Sequence, residues 1–501
     1  MDGRMKLPSG QGSRSRWVGG LRVVGLMVLG ALLAGVVAYV GKARRQPDLR
    51  AWHRLEPREE LKARELGEGF DLEDYIAREE RLFAAVATDL LAVEDEPPRL
   101  SRYRPLGPTN PATLPRNWNR TFVIEPAKRR GAAVLLHGLS DSPYSVRSLA
   151  ETLAAQGLVS IGLRLPGHGT VPGDLRQVSW EDWRAAVRVA VRAADEQRND
   201  GALILAGYSN GAALALDHAV SALSDPSLPR PDGLVFLSPA FAVTRMAALA
   251  RWQLLFSRLP GMKKLAWSSI ESEFDPFKYN SFPMRAAEEI HLLTSELERG
   301  LERLEERGGL EELPPALTFA SRVDGTVPLD TSLGRLYGRL RVGRIANGSE
   351  LVVFDVNRLA EIEEFLSPEA NWLPAGAESP DPLPFSLTVV TNSATMTSEV
   401  EAHLTPAGST RPHLERLGLE WPQGVYSLSH VAVPFPPDDP VYGTAMELGD
   451  PFPFGLLEAR GERGALAVPL DLLMRQRYNP FHAYLTRRVA EFVADSAQTA
   501  E

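Results

Sequence analysis

From about residue 117 onward, the sequence alternates short, continuously apolar runs with longer stretches of helical periodicity. The apolar runs are NRTFVIEP, GAAVLLHG, LVSIGLRL, GALILAGYS and GLVFLSPAF. Strands without regularly spaced polar positions are buried on both faces, as in a parallel sheet that helices cover. The alternation therefore predicts an α/β domain over residues 117–501, with an open, doubly wound and mostly parallel sheet.

Residues 243–312 interrupt this alternation with helical and aromatic sequence that contains two Pro-bearing breaks, LPGMKK and FDPFKYNSFP. We expect this segment to form a helical cap inserted into the domain. The alternation resumes with ALTFASRVD, LVVFDV and SLTVVTN, and the chain ends in the amphipathic stretch HAYLTRRVAEFVADS. This last stretch predicts a C-terminal helix that packs on the sheet.

An uncharged apolar run of eighteen residues extends from Val23 to Val40, after a basic tail at residues 1–22. As a helix the run would be about 27 Å long, enough to cross the hydrocarbon core of a bilayer. No small-x-small cleavage site follows it, so we predict an uncleaved, single-pass transmembrane anchor rather than the alternative, a cleaved signal peptide. We expect the tail inside and the body on the extracytoplasmic side of the membrane, although basic residues flank both ends of the run.

The net charge of −9 is unevenly distributed. Residues 1–45 carry eight Lys/Arg and one acidic residue, a charge of +7, so residues 46–501 sum to −9 − 7 = −16. A body this acidic repels phosphate backbones, and no nucleic-acid partner is expected. The absence of cysteine excludes disulfides, Cys-ligated zinc and a thiol nucleophile. Because no HExxH motif or calcium-binding loop is present either, neither a metal nor a cofactor is predicted.

Residues 41–116 separate the predicted anchor from the α/β domain. The segments LEPREELKAREL and DLEDYIAREERLFAAVATDLLAV have apolar residues at helical spacing, and residues 101–116 are rich in Pro, Asn and Arg. We therefore expect a linker of helices and loops that also packs on the body, and we assign it no chemistry.

The pentapeptide Gly207-Tyr208-Ser209-Asn210-Gly211 fits the pattern G-x-S-x-G. The pattern alone is weakly specific, but here it lies at the end of a predicted strand and the start of a predicted helix. A serine at that position occupies a sharp turn that lifts its hydroxyl clear of the sheet. Glycine is needed on both sides because a Cβ would clash in so tight a bend. Ser209 is therefore the predicted nucleophile.

A serine hydroxyl is a weak nucleophile and needs a base that a third group orients. At strand–helix sites of this kind the acid and then the histidine follow the serine in the chain. His430 stands in VYSLSHVAVPFPPDDPVYG, a strand-like stretch followed by a Pro-rich loop, and is the predicted base. His403 and His413 flank a loop rich in Ser, Thr and Pro and remain alternatives.

The predicted orienting acid is Asp324, which ends the strand ALTFASRVD and enters the turn GTVP. Asp355 ends the strand LVVFD and is the second choice. An aspartate after a strand is commonly only a turn residue, but the order Ser209, Asp324, His430 favours a catalytic role.

The segment His137-Gly138-Leu139 follows the strand AAVLL, close to where the second donor of an oxyanion hole is expected. We predict that the N–H groups of Leu139 and Asn210 stabilise a developing oxyanion. His137 itself is expected to have a structural role. His168, in LPGHGT, precedes Ser209 in the chain and is expected to organise its loop.

Together these segments resemble the α/β-hydrolase family, especially its lipase and carboxylesterase branch. The matching pieces are HGLSDSP, LPGHGT, WEDW, GYSNG, VDGTVP and the SH at 429–430. The resemblance implies the α/β-hydrolase fold and acyl-enzyme chemistry on esters, with Ser209 as nucleophile, His430 as base and Asp324 as orienting acid. The separation of 430 − 324 = 106 residues exceeds that of the plain members, so residues 330–425 are predicted to contain an insertion.

The predicted cap and anchor favour a small-molecule ester or lipid with an apolar acyl group as substrate. A thioesterase, an acyltransferase or a peptidase would use the same three residues, and these alternatives stay open. A membrane-tethered binding or scaffold protein without turnover is the alternative from another class. A cofactor-free lyase or a haloperoxidase-like activity is a further one.

Overall fold

The structure is a computed structural model, and it describes residues 45–67, 69–93, 96–243, 250–341, 348–360, 382–394, 396–444 and 475–500, with a few positions between 26 and 41. The basic tail and most of the predicted anchor from Val23 to Val40 lie outside the described residues, so the anchor stays a prediction. Within the described ranges, no helix combines the length and the apolar character needed to cross a membrane.

The strands in the described part of the chain are β1 (Phe122–Ile124), β2 (Gly131–Leu136), β3 (Leu158–Leu163), β4 (Ala202–Tyr208), β5 (Gly233–Leu237), β6 (Trp267–Ser269), β7 (Phe282–Pro283), β8 (Ala316–Ser321), β9 (Glu350–Phe354), β10 (Ser386–Asn392), β11 (Glu399–Thr405) and β12 (His413–Glu420). The α-helices there are α1 (Ala51–Arg54), α2 (Leu72–Leu91), α3 (Arg147–Ala155), α4 (Trp180–Gln197), α5 (Asn210–Ala222), α6 (Ala250–Ser257), α7 (Met284–Glu306), α8 (Leu329–Tyr337) and α9 (His482–Ala500).

Ten of these strands form one sheet in the order β1-β3-β2-β4-β5-β8-β9-β10-β11-β12. All neighbours from β3 to β10 are parallel, and β1, β11 and β12 add antiparallel edges. This confirms the predicted doubly wound, mostly parallel sheet. The sheet grows in opposite directions on the two sides of β2, which places the carboxyl ends of β2 and β4 side by side. Such a reversal is where open α/β sheets bind ligands.

Helices cover both faces of the sheet, as the apolar strands require. One core combines β-strand side chains with α2, α4, α5, α7 and α8, and the other combines them with α3 and α9. All the residues of β2, β3, β4, β5, β8 and β9 are buried. The strands, the helix α4 and the C-terminal helix α9 lie where the periodicity of the sequence predicts them.

The chain between Asp324 and His430 extends the sheet instead of leaving it. After α8, strands β9 and β10 continue the parallel array, and the hairpin strands β11 and β12 add to its edge. Each new strand pairs with the preceding strand in this part of the chain. In the described part of this stretch, additional strands of the sheet therefore account for part of the long separation between the two residues.

Two local predictions are wrong. The segment LEPREELKAREL contains a short 3₁₀ turn at Ala63–Glu65 rather than a helix. His430 does not follow a strand: it begins a 3₁₀ turn at His430–Ala432. In both places the spacing of apolar residues predicted a regular helix or strand. Instead, contacts with other parts of the protein hold the backbone in a short turn, such as Ala63 N–H with the Asp182 carboxylate and the Ser429 hydroxyl with Gln476 O.

The region before β1 packs on the body through buried charges. Glu60 and Glu79, the latter on α2, both bind the guanidinium of Arg164, which follows β3. The Tyr75 hydroxyl donates to the Arg164 carbonyl oxygen at 2.6 Å. These contacts attach residues 60–79 to the carboxyl end of the sheet.

Within residues 243–312 the described part consists of α6, the small hairpin of β6 and β7, and the long helix α7. Helix α7 packs against α5 with one face, which includes Leu293, Leu297 and Leu301. Its first turns approach the carboxyl end of the sheet, above Ser209. We refer to this segment as the cap.

Candidate active site

Ser209 lies in the turn that joins β4 to α5. Its backbone has φ 53° and ψ −113°, a conformation that side-chain-bearing residues rarely adopt. A Cβ on Gly207 would come within 2.4 Å of the Ala212 nitrogen, and one on Gly211 within 2.1 Å of the Leu136 carbonyl oxygen. The two glycines therefore allow the turn to pass tightly against β2 and the first turn of α5.

Two backbone hydrogen bonds hold this strained turn. The Ser209 N–H donates to Leu237 O at 2.9 Å, and the Ala240 N–H donates to Ser209 O at 3.1 Å. Both partners belong to β5 or the loop after it. Strain of this kind persists only where the surrounding structure fixes it, and it is concentrated at functional sites.

The structure brings Ser209, His430 and Asp324 together. His430 Nε2 lies 3.1 Å from Ser209 Oγ, and His430 Nδ1 lies 2.7 Å from Asp324 Oδ2. A carboxylate can only accept, so Nδ1 carries the proton and Nε2 is left to accept from the serine hydroxyl. The imidazole and the Asp324 side chain are buried, while Ser209 Oγ adjoins a cavity.

The Asp324 carboxylate is held by backbone donors as well as by the histidine. Its Oδ1 accepts from the N–H groups of Thr326 at 2.8 Å and Val327 at 2.9 Å. Burial raises the pKa of this carboxyl, but His430 and the two N–H groups outweigh burial and lower the pKa below its ordinary value of 3.8. Asp324 is therefore ionised at neutral pH and fixed in orientation.

His430 is positioned by contacts from both sides of its short turn. The preceding residue, Ser429, donates its hydroxyl to the Gln476 carbonyl oxygen. The ring of Tyr208, the residue before the nucleophile, lies 5.4 Å from the imidazole between centroids. The base is thus oriented by the strand that carries the serine and by the segment that precedes α9.

The alternative acid and bases lie elsewhere. Asp355 binds the guanidinium groups of Arg322 and Arg358. His403 is half-buried on β11 and contacts Glu401 at 2.8 Å, and His413 is exposed at the start of β12. None of these three residues lines the cavity at Ser209.

His137 and His168 are buried, and their rings contact backbone N–H and carbonyl groups. His137 Nδ1 contacts Gly138 O at 2.9 Å, and its Nε2 accepts from the Leu165 N–H at 3.0 Å. His168 Nδ1 contacts Pro166 O at 3.0 Å, and its ring packs against that of His137. Burial lowers the pKa of both rings, that of His168 to about 4, so both are neutral at pH 7.

The two predicted oxyanion donors flank the nucleophile. Asn210 is the first residue of α5, so its N–H has no acceptor within the helix, and the positive end of the helix dipole lies there. Leu139 follows β2 and lines the same cavity as Ser209 and His430. Their role in binding an oxyanion stays a prediction.

A cavity of about 540 Å³ opens at Ser209 between the sheet and the cap. Helix α7 supplies Ala287 and Ile290 to its wall. Further apolar side chains in the wall are Leu139, Val243, Phe274, Phe282, Val327 and Phe435. The cavity is thus mainly apolar next to Ser209, as is usual for a site that binds a small molecule.

The cavity also contains charged and phenolic groups that sequence reasoning missed. The buried carboxylate of Asp141 contacts Lys278 Nζ at 3.2 Å, and the buried carboxylate of Asp275 accepts from the Tyr442 hydroxyl at 2.6 Å. The guanidinium of Arg475 donates to the Thr326 hydroxyl at 2.7 Å. The only sequence signal for any of them was Asp141 in HGLSDSP, because the others come from segments far apart in the chain.

In the described part of the chain no group of three or more His, Cys, Asp or Glu side chains is arranged to hold a metal ion.

Comparison with known proteins supports the same fold. The family described as serine aminopeptidase, S33, matches residues 127–297. A thermostable monoacylglycerol lipase from Bacillus sp. (strain H-257) is 26% identical over 196 residues, which are 39% of this chain and 71% of that lipase. The region that the family matches, residues 127–297, contains β2 to β5, the turn at Ser209 and most of the cap. Together with the strand order, the match shows an α/β-hydrolase fold.

Similar solved structures include lipolytic enzymes. A metagenome-derived lipolytic enzyme is 26% identical, with a TM-score of 0.36, and the match covers 48% of this chain and 88% of that chain. A monoacylglycerol lipase from Paleococcus ferrophilus is 20% identical, with a TM-score of 0.35, and covers 47% of this chain and 88% of that one.

Proposed function

We propose that this protein is a serine hydrolase that cleaves carboxylic esters through an acyl-enzyme on Ser209. The observation that carries the proposal is the continuous hydrogen-bonded series from Asp324 through His430 to the Ser209 hydroxyl, which ends at an apolar cavity. The similarity to a monoacylglycerol lipase supports ester hydrolysis.

In the first half-reaction, Ser209 Oγ attacks the ester carbonyl carbon while His430 Nε2 takes the hydroxyl proton. The N–H groups of Asn210 and Leu139 would receive the negative charge that develops on the carbonyl oxygen. Collapse of the tetrahedral intermediate transfers the proton from His430 to the departing alcohol and leaves the acyl group on Ser209. Water, deprotonated by His430, then releases the carboxylic acid and restores the serine.

The ionised Asp324 has two tasks in this scheme. It keeps the imidazole proton on Nδ1, so that Nε2 is free to act as base, and it stabilises the imidazolium that forms during the attack. The backbone donors that lower the pKa of its carboxyl also prevent it from rotating away. Asp324 therefore acts without itself being protonated.

The lining of the cavity favours an apolar acyl group. The nucleophile faces aliphatic and aromatic side chains of the cap and of the loops after β2 and β8, while the charged pairs already contact protein groups. A small-molecule ester or lipid with a hydrocarbon acyl chain fits this lining best.

A peptidase is the second candidate, because the matching family is described as a serine aminopeptidase. An aminopeptidase needs an acceptor for the substrate ammonium group. Among the described residues of the cavity wall, the carboxylate of Asp141 is bound by the cation of Lys278, and that of Asp275 accepts from the Tyr442 hydroxyl. The apolar lining next to Ser209 favours esters, and thioesterase or acyltransferase chemistry stays open on the same residues.

A fluorophosphonate probe tests whether Ser209 is activated. We expect the wild-type chain to be labelled and Ser209→Ala to lose labelling completely, because Ser209 is the only serine in the described ranges that contacts a histidine oriented by a carboxylate. Ser238→Ala is a matched control: Ser238 is also buried with a positive φ of 43° and also follows a strand, but its hydroxyl has no partner among the described residues. If the wild type were not labelled, a non-catalytic binding or scaffold role would replace the proposal.

The reaction class is tested with p-nitrophenyl esters of increasing acyl length beside aminoacyl p-nitroanilides and acyl thioesters. We expect the highest kcat/KM on apolar acyl esters of medium length and negligible release of p-nitroaniline. A preference for the anilides would establish the peptidase candidate instead. Cleavage restricted to charged, water-soluble esters would contradict the apolar acyl site.

A further inference from the structure

Helix α6 of the cap carries an apolar stripe that faces water. Trp252, Leu255, Phe256 and Leu259 are 59%, 52%, 51% and 53% exposed. Leu255 and Phe256 follow Trp252 by three and four residues and lie on the same side of α6, and Leu259 comes two residues after the helix ends at Ser257. We call these four side chains the cap face.

The opposite side of α6 fixes the orientation of the cap face. Gln253 donates to Leu265 O at 2.8 Å, and Leu254 packs against a buried cluster of Ala266, Trp267 and Ile270. Because the helix already packs through this side, the stripe cannot turn inward without breaking the cluster. An exposed apolar stripe on a helix that is otherwise anchored marks an interaction surface.

The surroundings of the cap face are basic. Residues 250–270 contain four Lys/Arg and no Asp/Glu, a charge of +4, whereas the whole chain has −9. A second cavity, of about 930 Å³, lies along α6 and is lined by Arg251 and Arg258. Arg176 and Arg285 also line it, and they pair with the carboxylates of Glu56 and Glu288. Arg251 and Arg258 are exposed beside the apolar stripe. A positive rim around an apolar face complements an anionic lipid surface.

The chain that leaves the predicted anchor is attached to the cap beside α6. Gln46 donates to Ser268 O at 3.2 Å, Lys264 Nζ contacts Gln46 O and the Asp48 carboxylate at 2.8 Å each, and Leu49 packs in the cluster beneath α6. Gln46 follows the end of the apolar run at Val40 by 46 − 40 = 6 residues. Six residues span at most about 21 Å, so the end of an anchor would lie within that distance of the cap.

We propose that the cap face is a membrane-docking surface that inserts into the interfacial region of an anionic bilayer. The four apolar side chains enter the boundary between headgroups and acyl chains, and Arg251 and Arg258 contact lipid phosphates. Because α6 packs on α7, which lines the cavity at Ser209, docking brings the cavity to the lipid surface. The docking surface does not depend on the reaction that occurs at Ser209.

The chain contains no cysteine, so a single introduced thiol can be labelled without background. Full-length Leu255→Cys and the control Leu414→Cys, which is 65% exposed on the distant strand β12, would each carry a nitrobenzoxadiazole fluorophore. Each protein is reconstituted into vesicles of phosphatidylcholine alone or mixed with phosphatidylglycerol. We expect a blue-shifted emission at position 255 that spin-labelled lipid quenches, with several-fold stronger quenching in the anionic vesicles. The probe at 414 should not change.

The basic rim is tested by adding Arg251→Gln and Arg258→Gln to the labelled protein. These changes should reduce the quenching at 255 in anionic vesicles to its level in phosphatidylcholine.

Three outcomes overturn the proposal: a probe at 255 that stays exposed to water on vesicles, a failure of the full chain to associate with vesicles, or a probe that is already shielded without lipid. In the last case, dependence of the shielding on protein concentration would assign the cap face to a second copy, and independence of it to another segment of the chain. Fluorophosphonate labelling of Ser209 is measured in parallel, so a failure of docking is distinguishable from a failure of the hydrolase.

Discussion

Two buried clusters of charged and polar side chains lie beyond the carboxyl ends of strands of the same sheet, and they differ in whether a hydrogen-bonding group faces a cavity. The first, which we propose to be catalytic and call the catalytic cluster, contains Ser209 after β4, Asp324 after β8 and His430. The Arg164 cluster, Arg164 with Glu60 and Glu79, lies next to β3. Both contain carboxylates held by a nitrogen base or cation, and both are removed from water.

In the Arg164 cluster the hydrogen-bonding groups are occupied by protein. Arg164 contacts Glu60 with two nitrogens, at 2.9 and 3.0 Å, and Glu79 with a third at 3.1 Å. Glu60 also accepts from the Gly167 N–H, and Glu79 accepts from the Thr121 N–H and hydroxyl. Burial raises the pKa of Glu60, but Arg164 outweighs it, so the pKa of this carboxyl is lowered.

In the catalytic cluster, by contrast, the last group of the series faces a cavity. Ser209 Oγ contacts only His430 among the described residues and adjoins about 540 Å³ of space. Burial and charge pairing, which both clusters have, are therefore not enough to identify an active site. A reactive site also needs a polar group that faces open space, so that a substrate can contact it.

The largest expected effect comes from Asp324→Asn, which breaks the catalytic cluster without removing its packing. The amide can donate to Nδ1, so the imidazole turns to the wrong tautomer and kcat falls by about 10⁴-fold. The measurement is ester hydrolysis under saturating substrate, with the folded fraction checked by circular dichroism.

Asp330→Asn is the matched control, because Asp330 is exposed at the start of α8, six residues after Asp324. It should retain wild-type activity. A loss of less than tenfold in Asp324→Asn would mean that Asp324 does not orient the base.

Arg164→Met tests the structural cluster. It leaves Glu60 and Glu79 buried without their cation and should lower the free energy of unfolding by about 3–5 kcal/mol. Urea denaturation measures the change. Fluorophosphonate labelling per folded molecule should stay unchanged in this variant, since Arg164 has no contact with the catalytic cluster.

The control for this change is Arg198→Met. Arg198 contacts the Asp232 carboxylate at 3.0 Å, and both side chains of this pair are partly exposed. A partly exposed pair of this kind contributes about 0–1 kcal/mol, so the loss should be small. If Arg164→Met cost no more than the control, the Arg164 cluster would not stabilise the attachment of residues 60–79.

The smallest expected effect is on the pH dependence of stability and comes from His168, whose carbonyl oxygen accepts from Arg164. Burial lowers its pKa from 6.5 to about 4, so between these pH values the unfolded chain binds a proton that the folded chain does not. Stability from this residue is present above pH 6.5 and is lost as the pH falls towards 4, by roughly 3 kcal/mol at most. His168→Gln should remove that part of the pH dependence, measured by urea unfolding at neutral and mildly acidic pH.

Equal slopes in the wild type and in His168→Gln would show that His168 does not contribute to acid unfolding.

Local sequence was sufficient for much of the fold and for the sharp turn at Ser209. Continuous apolar runs predict β2 to β5 and β8 to β10, because a strand buried on both faces has no place for polar positions. The two glycines around Ser209 and the change from strand to helix periodicity predict the sharp turn, because steric limits on the backbone act within a few residues. The order of the acid and the histidine then selected Asp324 and His430 as candidates.

What local sequence could not determine is which distant side chains meet. His430 was chosen from a strand-like pattern that is absent, and it reaches Ser209 through a 3₁₀ turn held by Gln476 and Tyr208. The Arg164 cluster carried no local signal, since its members lie 85 and 104 residues apart from Arg164 in the chain. Contacts of this kind depend on how strands and helices pack, which periodicity does not encode.

The cap shows the same limit at the surface. The spacing of Trp252, Leu255, Phe256 and Leu259 is what a helix buried in a core would have. Only the tertiary structure decided that the other side of α6 is the packed one and that this stripe faces water. The sequence by itself determined the α/β sheet, the strained serine and the order of its partners, because short-range sterics and burial dictate them. The tertiary structure decided which charged cluster is closed and which is open, because that depends on the space left between packed elements.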